Sequence, residues 1–486
     1  MNLRPVVLAA VAGLLTLGAA APATAAEVRT YEGIQYATAD RWLPPDPVRG
    51  APPSPGPGPA CPQPTDIPVA PAVQSEDCLT LNVTAPAAAR NRPVLVYLHG
   101  GSFNYGSGAN YRPDTLVRRG NVVAVTINYR LGVLGFLAHP ALGADAGNLG
   151  IVDQRVALRW VRDNIARFGG NPRNVTIMGQ SAGGYSVCTH LASPASAGLF
   201  QRAIVQSAGC TGGTRTRADA ERAAVQLATD LGCTTVDCLR HKTTDELVAA
   251  SGAGHDDYRP VVGTPTLPVA PAETFASGHF NRVPVLYGGN HDEETGQLIG
   301  MELAGQPPVD RENYPERVAE YFGADTAAVL AEYPLTTDRD PTETLAAALT
   351  DRNWALPADD TRRLLARHVP VYAYEFAERN TPWFADFPPP RLSAGASHML
   401  ELPYLFTVRY LTPAAQQGLR NTMIDRWTHF ASTGHANWPA FHKGGFVLSL
   451  AANNVGPTNF VADHKLTFWR SLPTPSEPIM QHSSNE

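Results

Sequence analysis

No long run of like charge interrupts this 486-residue chain, whose formal net charge is -6. Without a basic tract there is nothing to track a phosphate backbone or hold an anionic membrane, so nucleic acid is excluded as a partner. Internal repeats are also missing. Beyond the N-terminus no apolar run reaches the roughly 18 to 20 residues a spanning helix needs, so no stable membrane anchor is expected. The N-terminus itself reads MNLRP, then VVLAAVAGLLTLGAA, then APATAA. A short positive segment, an apolar segment and a small-residue exit make a secretory signal peptide, with cleavage expected near Ala25 or Ala26 and a secreted, extracellular product. Residues 1–26 are thus assigned to the signal and 27–486 to a single domain, for which 44% apolar residues supply a large core.

Between Pro44 and Pro71 proline is so frequent that neither a helix nor a central strand can form, and a surface excursion is expected. After it, β-branched runs alternate with helical patterns: VLVYLHGG, VVAVTINYR, the amphipathic IVDQRVALRWVRDNIARF, NVTIMG, and a helix from Ala182 that Ser193 and Pro194 end. Such alternation predicts an α/β fold, with a mostly parallel central sheet covered by helices on both faces. LFQRAIVQSAG, VPVLYGG from Val283 and VPVYAYEF from Val369 are further strands, and helical insertions are expected over Thr216 to Ala250 and Pro341 to His368. The tail after about residue 473 is polar and proline-broken, as flexible termini are. Asn82 and Asn174 begin glycosylation sequons but lie in expected strands and are read as strand residues.

Six cysteines in an exported chain suit an oxidising compartment and allow 15 pairings. Cys233 and Cys238 are near enough to close a small loop, and Cys61 and Cys78 bracket the proline-rich excursion. Cys188 and Cys210 are equally compatible with a third bridge and with two buried free thiols.

GQSAG, from Gly179 to Gly183, lies directly between the expected strand NVTIM and a helix, which is the setting a GxSxG nucleophile elbow requires. The turn is so tight that side chains at its glycines would collide, leaving the Ser181 hydroxyl projecting near a helix N-terminus. HGGSF, after the strand VLVYL, offers pliant backbone for an oxyanion hole. An acid and then a histidine should follow the serine. Asp292, Glu293 and Glu294 compete for the acid at the end of VPVLYGG, and chemistry alone prefers none. His398 is one of fourteen histidines and is not singled out by composition.

These segments resemble the type-B carboxylesterases, the family that includes cholinesterases and bacterial para-nitrobenzyl esterases. The likeness runs from about Glu27 to near Leu472, through SEDCLTLNV at Ser75 to Val83 and the long active-serine stretch from Gly147 to Gly184. The resemblance implies the α/β-hydrolase fold. It selects Glu293 through the family's Asn-x-Asp-Glu-Gly pattern, although Glu294 replaces the glycine, and His398 through His-x-x-Glu-Leu-Pro-Tyr. Its oxyanion donors map onto the N–H groups of Gly101, Ser102 and Ala182, with Ser102 where glycine or alanine is usual. It implies disulfides Cys61–Cys78 and Cys233–Cys238 and gives no support for Cys188–Cys210.

Gln180 stands where the family usually has Glu, and the stretch from Cys61 to Cys78 holds no aromatic residue, so recognition of a quaternary ammonium is not expected. The expected activity is a secreted serine carboxylesterase with a Ser181–His398–Glu293 triad and an acyl-enzyme intermediate, acting on small-molecule esters, with a monomer expected and an oligomer left open. A non-catalytic adhesion relative, a lipase or an amidase of the same fold are the alternatives. No cofactor and no metal are expected: His429, His435 and His442 lack a zinc spacing and are read as surface residues.

Overall fold

The structure is a computed structural model that describes residues 27–65, 70–252, 257–442 and 444–473. The expected signal segment, residues 1–26, and the tail after residue 473 lie outside the described residues. From edge to edge, ten strands run Val28–Gln35, Thr80–Pro86, Val123–Ile127, Arg92–Leu98, Gly170–Gln180, Arg202–Gln206, Val285–Asn290, Val371–Phe376, Val447–Ala451 and Asn454–Thr458. The seven from Val123–Ile127 to Val447–Ala451 pair in parallel, and the outer pairings are antiparallel. Six of the seven parallel strands, all but Val447–Ala451, follow expected segments in which β-branched residues cluster, and alternate side chains go to opposite faces. Val94, Val96 and Leu98 enter one core with Val175, Ile177, Val205 and Tyr287, whereas Leu95 and Tyr97 enter another with Met178, Ile204 and Leu286. Helices cover both faces, as a sheet buried on two sides requires.

Helix Leu149–Asn164 covers the first core with its Ile151, Val156, Leu158 and Val161. Arg130, just past strand Val123–Ile127, grips Asp153 on that helix through Nε at 2.8 Å and Nη2 at 2.7 Å, a buried bidentate pair that fixes the helix against the sheet. Helix Gln417–Thr433 covers the second core with Leu419, Met423, Ile424 and Trp427. The expected helical stretches are present but broken: the first into Arg217–Asp230, Val236–Arg240 and Thr244–Gly252, the second into Pro341–Thr350 and Leu356–Leu365 around a π-helical turn, Asp351–Ala355.

Three disulfides form, Cys61–Cys78, Cys188–Cys210 and Cys233–Cys238. The free-thiol reading of Cys188 and Cys210 is therefore corrected. Cys188, on the helix after Ser181, faces Cys210, three residues after Ser207 at the exit of strand Arg202–Gln206, and both are buried. Residues 44–59 of the proline-rich excursion are mostly exposed, while Cys61, Pro62 and Gln63 turn inward. Asn82 and Asn174 are strand residues; Asn82 accepts from the N–H of Gly33 at 3.0 Å and donates to Thr126 Oγ1 at 3.2 Å.

Candidate active site

Strand Gly170–Gln180 and helix Ala182–Ala192 are separated by a single residue, Ser181, with φ 57° and ψ -125°. A non-glycine residue held there is strained, and the surroundings enforce it. A Cβ on Gly183 would fall onto the carbonyl of Leu98, and one on Gly179 onto the carbonyl of Gly183. Glycine at these two positions lets the helix start hard against the strand, which pushes the serine side chain out of the turn. The Ser181 N–H donates to the Gln206 carbonyl at 3.0 Å and its carbonyl accepts from Tyr185 N at 2.9 Å, so the backbone on both sides is tied down.

The glycine loop after strand Arg92–Leu98 approaches the same point. Gly101 adopts φ 113° and Ser102 φ 51°, both in the left-handed region that favours glycine. Among the described residues the N–H groups of Gly101, Ser102 and Ala182 donate to no backbone acceptor. Gln63 braces this loop from the proline-rich excursion: its Oε1 accepts from Gly106 N at 2.8 Å and its Nε2 donates to the Gly106 carbonyl at 3.0 Å. That residue was not singled out in the sequence, because nothing local marks a glutamine beside Cys61 as a brace.

The three adjacent carboxylates after strand Val285–Asn290 separate by what they touch. Glu293 Oε2 lies 2.6 Å from His398 Nδ1, while its Oε1 accepts from Asn290 N at 2.7 Å. Asp292 instead accepts from Ala396 N at 2.9 Å, holding the loop that carries His398. Glu294 turns away to the π-helical turn, accepting from Trp354 Nε1 at 2.6 Å. A second tie, His398 N to the Glu293 carbonyl at 3.1 Å, links the two residues through the main chain. Burial disfavours protonation of His398, yet the charge and hydrogen bond of Glu293, with Glu401 and Glu294 behind it, raise its pKa above the ordinary histidine value. Glu401 is fully buried, accepts from Gln206 Nε2 at 2.9 Å and Asn290 Nδ2 at 2.8 Å, and has its pKa pushed up to about 7 by burial and by the nearby charge of Glu293.

The other imidazole nitrogen, Nε2, lies 3.1 Å from Nε2 of Gln180, and no hydrogen bond joins it to the Ser181 hydroxyl. With Nδ1–H donated to Glu293, that lone pair accepts from the Gln180 amide. Gln180 thus does more than omit a negative charge: it occupies the second nitrogen of the imidazole.

Three ligand-type atoms elsewhere, on His291, Glu375 and His464, lie within 4.8 Å of one another. His464, however, has both nitrogens engaged, Nδ1 at 2.5 Å from Asp351 Oδ1 and Nε2 at 2.5 Å from Glu375 Oε1. Burial works against its charge, but the two carboxylates prevail and raise its pKa to about 10. An imidazolium between two carboxylates is itself the cation of this cluster, so the group reads as a buried ion network. Of the late histidines read from the sequence, His435 and His442 are exposed and His429 is half-buried.

The Carboxylesterase family profile matches residues 7–477. The chain belongs to the carboxylesterase family. It is 34% identical over 419 residues to the para-nitrobenzyl esterase of Bacillus subtilis (strain 168), covering 79% of this chain and 82% of that one. It is 33% identical over 434 residues to the cocaine esterase of Homo sapiens, covering 82% and 75%. A solved thermophilic PNB esterase superposes with a TM-score of 0.73 at 30% identity, covering 91% of this chain and 96% of that chain. The α/β-hydrolase fold is thereby shown, and the esterase is a serine carboxylic ester hydrolase.

Proposed function

We propose that the protein is an exported carboxylesterase in which Ser181 attacks the ester carbonyl, His398 takes the hydroxyl proton on Nε2, and Glu293 holds Nδ1–H. The observation that carries this reading is the Glu293–His398 contact at 2.6 Å, with the other imidazole nitrogen 3.1 Å from the side chain of Gln180, the residue before Ser181. Attack forms a tetrahedral alkoxide, which accepts hydrogen bonds from the N–H groups of Gly101, Ser102 and Ala182. The imidazolium then gives its proton to the leaving alkoxide, an acyl-enzyme remains on Ser181, and water repeats the cycle. For the first step the Gln180 amide gives up Nε2 to the Ser181 hydroxyl, a side-chain adjustment of the kind catalytic hydrogen bonds make when substrate binds.

Uncharged small esters, aromatic ones such as nitrophenyl esters included, suit the site better than choline esters. Gln180 brings no negative charge, and the stretch from Cys61 to Cys78 brings no aromatic face to a quaternary ammonium. Three disulfides favour an oxidising compartment. No helix among the described residues is long and apolar enough to cross a membrane. The test is fluorophosphonate labelling with peptide mapping, alongside nitrophenyl ester turnover by the parent and Ser181→Ala. Label on Ser181 and a loss of about 10⁴-fold or more in kcat are expected. Turnover that survives the substitution rejects the mechanism.

A further inference from the structure

Glu294 is the point at which this chain departs from the Asn-x-Asp-Glu-Gly pattern. It carries a carboxylate where a glycine would carry no side chain. That carboxylate is only 9% exposed, and a buried carboxylate needs donors. It finds them on one short segment: Trp354 Nε1 at 2.6 Å and Asn353 Nδ2 at 3.4 Å, while its own N–H donates to Thr350 Oγ1 at 3.1 Å. Asn353 and Trp354 lie on the π-helical turn Asp351–Ala355, wedged between helices Pro341–Thr350 and Leu356–Leu365. A π turn takes one residue more than an α turn, so it rotates side chains out of the phase of the flanking helices; such bulges gather at functional sites. Here the rotated side chain reaches the imidazole: the ring centroids of Trp354 and His398 are 4.7 Å apart, inclined by 43°.

We propose that Glu294 is a positioning residue acting on His398 through Trp354, its carboxylate fixing the indole and the indole fixing the plane of the imidazole. This rests on His398 being the general base. Glu293 anchors Nδ1 but leaves the ring free to tilt about that anchor, and a tilt would carry Nε2 away from Gln180 and Ser181. An indole held from behind removes that freedom on one face.

Glu294 also has an electrostatic role. The charged and titratable groups facing it are His398, Glu293 and the Tyr185 phenol; those facing His398 are Glu293, Glu401 and Glu294. An ionised Glu294 therefore favours the imidazolium. The two roles can be separated because glutamine keeps the acceptor and loses the charge, whereas glycine loses both.

The experiment compares Glu294→Gln, Glu294→Gly and Trp354→Phe with the parent, measuring kcat, KM and the pH dependence of kcat/KM on a nitrophenyl ester. Glu294→Gln should keep kcat within about twofold and move the acid limb to lower pH, since a negative charge beside the imidazolium is gone. Glu294→Gly should show the same limb shift and lose about ten- to a hundredfold in kcat with KM nearly unchanged, the scale that misaligned catalytic groups cost. Trp354→Phe keeps a ring but no N–H and should fall between the two. Parental kcat in Glu294→Gly, or equal impairment of Gln and Gly, overturns the proposal. Should Glu294→Gly fail to fold by near-UV circular dichroism, the Gln and Phe variants decide: parental kcat and an unmoved limb in both overturn it. Ser181→Ala, run in parallel, reports on the triad alone, so failure of that reading is seen separately.

Discussion

The two halves of the site are built in opposite ways. On the serine side the backbone does the work: Gly179 and Gly183 admit a strand-to-helix turn with no room for a side chain, and Ser181 is placed by collision. Around Glu293 and His398 side chains do it. Asp292, Glu293 and Glu294 are consecutive, chemically alike and buried, yet each is assigned a different partner by segments more than fifty residues away: Ala396, His398 and Trp354. A site fixed by sterics can be read from a short motif, whereas one fixed by tertiary partners cannot.

The contrast is broken or sharpened first at Glu293. Glu293→Gln should lower kcat by about 10⁴-fold, because an amide cannot stabilise the imidazolium and presents the wrong hydrogen-bonding pattern to Nδ1–H. Steady-state kinetics on a nitrophenyl ester check it. A loss no larger than that of Asp292→Asn would mean the acid has been misassigned.

Next comes the ion network behind the acid loop. Removing His464 leaves Asp351 and Glu375 buried without their cation, and His464→Ala should cost about 3 to 5 kcal/mol, read from urea unfolding midpoints. Its pH dependence has a definite sign. The folded pKa is raised from 6.5 to about 10, so the imidazolium's contribution is fully present below pH 6.5 and is lost as pH rises through about 10. The parent should therefore lose stability between pH 7 and 10.5 while the variant loses less. A flat parent profile over that range contradicts the charge state.

The third effect tests whether the elbow relies on a staple as well as on glycine. The Cys188–Cys210 bridge ties the helix after Ser181 to the neighbouring strand exit across a separation of 22 residues. Loss of both thiols through Cys188→Ser and Cys210→Ser should lower stability by about 3 kcal/mol, as bridges of this loop length do. Thermal unfolding with and without reductant checks it, the variant being the less sensitive to reductant at this bridge.

Smallest is Asp292→Asn, which keeps an acceptor for Ala396 N and should reduce kcat by no more than about tenfold. Kinetics side by side with Glu293→Gln make the comparison direct.

Most of the sheet was legible in the sequence, because β-branched runs such as VLVYL and VPVYAYEF are buried on both faces and say so without alternation. The two edge strands were not read as such: Asn454–Thr458 contains glycine and proline and is largely exposed, so its pattern is weak. Ser181 and the glycine loop were legible for the steric reason given above. His398 and Glu293 were not separable from their neighbours by chemistry, and only the family likeness chose them. Gln63, the π-helical turn and His464 left no local trace. Each acts through a contact with a chain segment at least forty residues distant, and single-sequence reasoning carries no term for that.

The crowding at Gly179 and Gly183 sets a boundary on laboratory redesign. Any library that varies those positions spends its members on chains whose elbow cannot close, since every other amino acid brings at least a Cβ into an occupied carbonyl. Variation aimed at a new acyl or alcohol preference belongs on loops that reach the serine from outside, where a larger side chain meets solvent or substrate instead of the main chain.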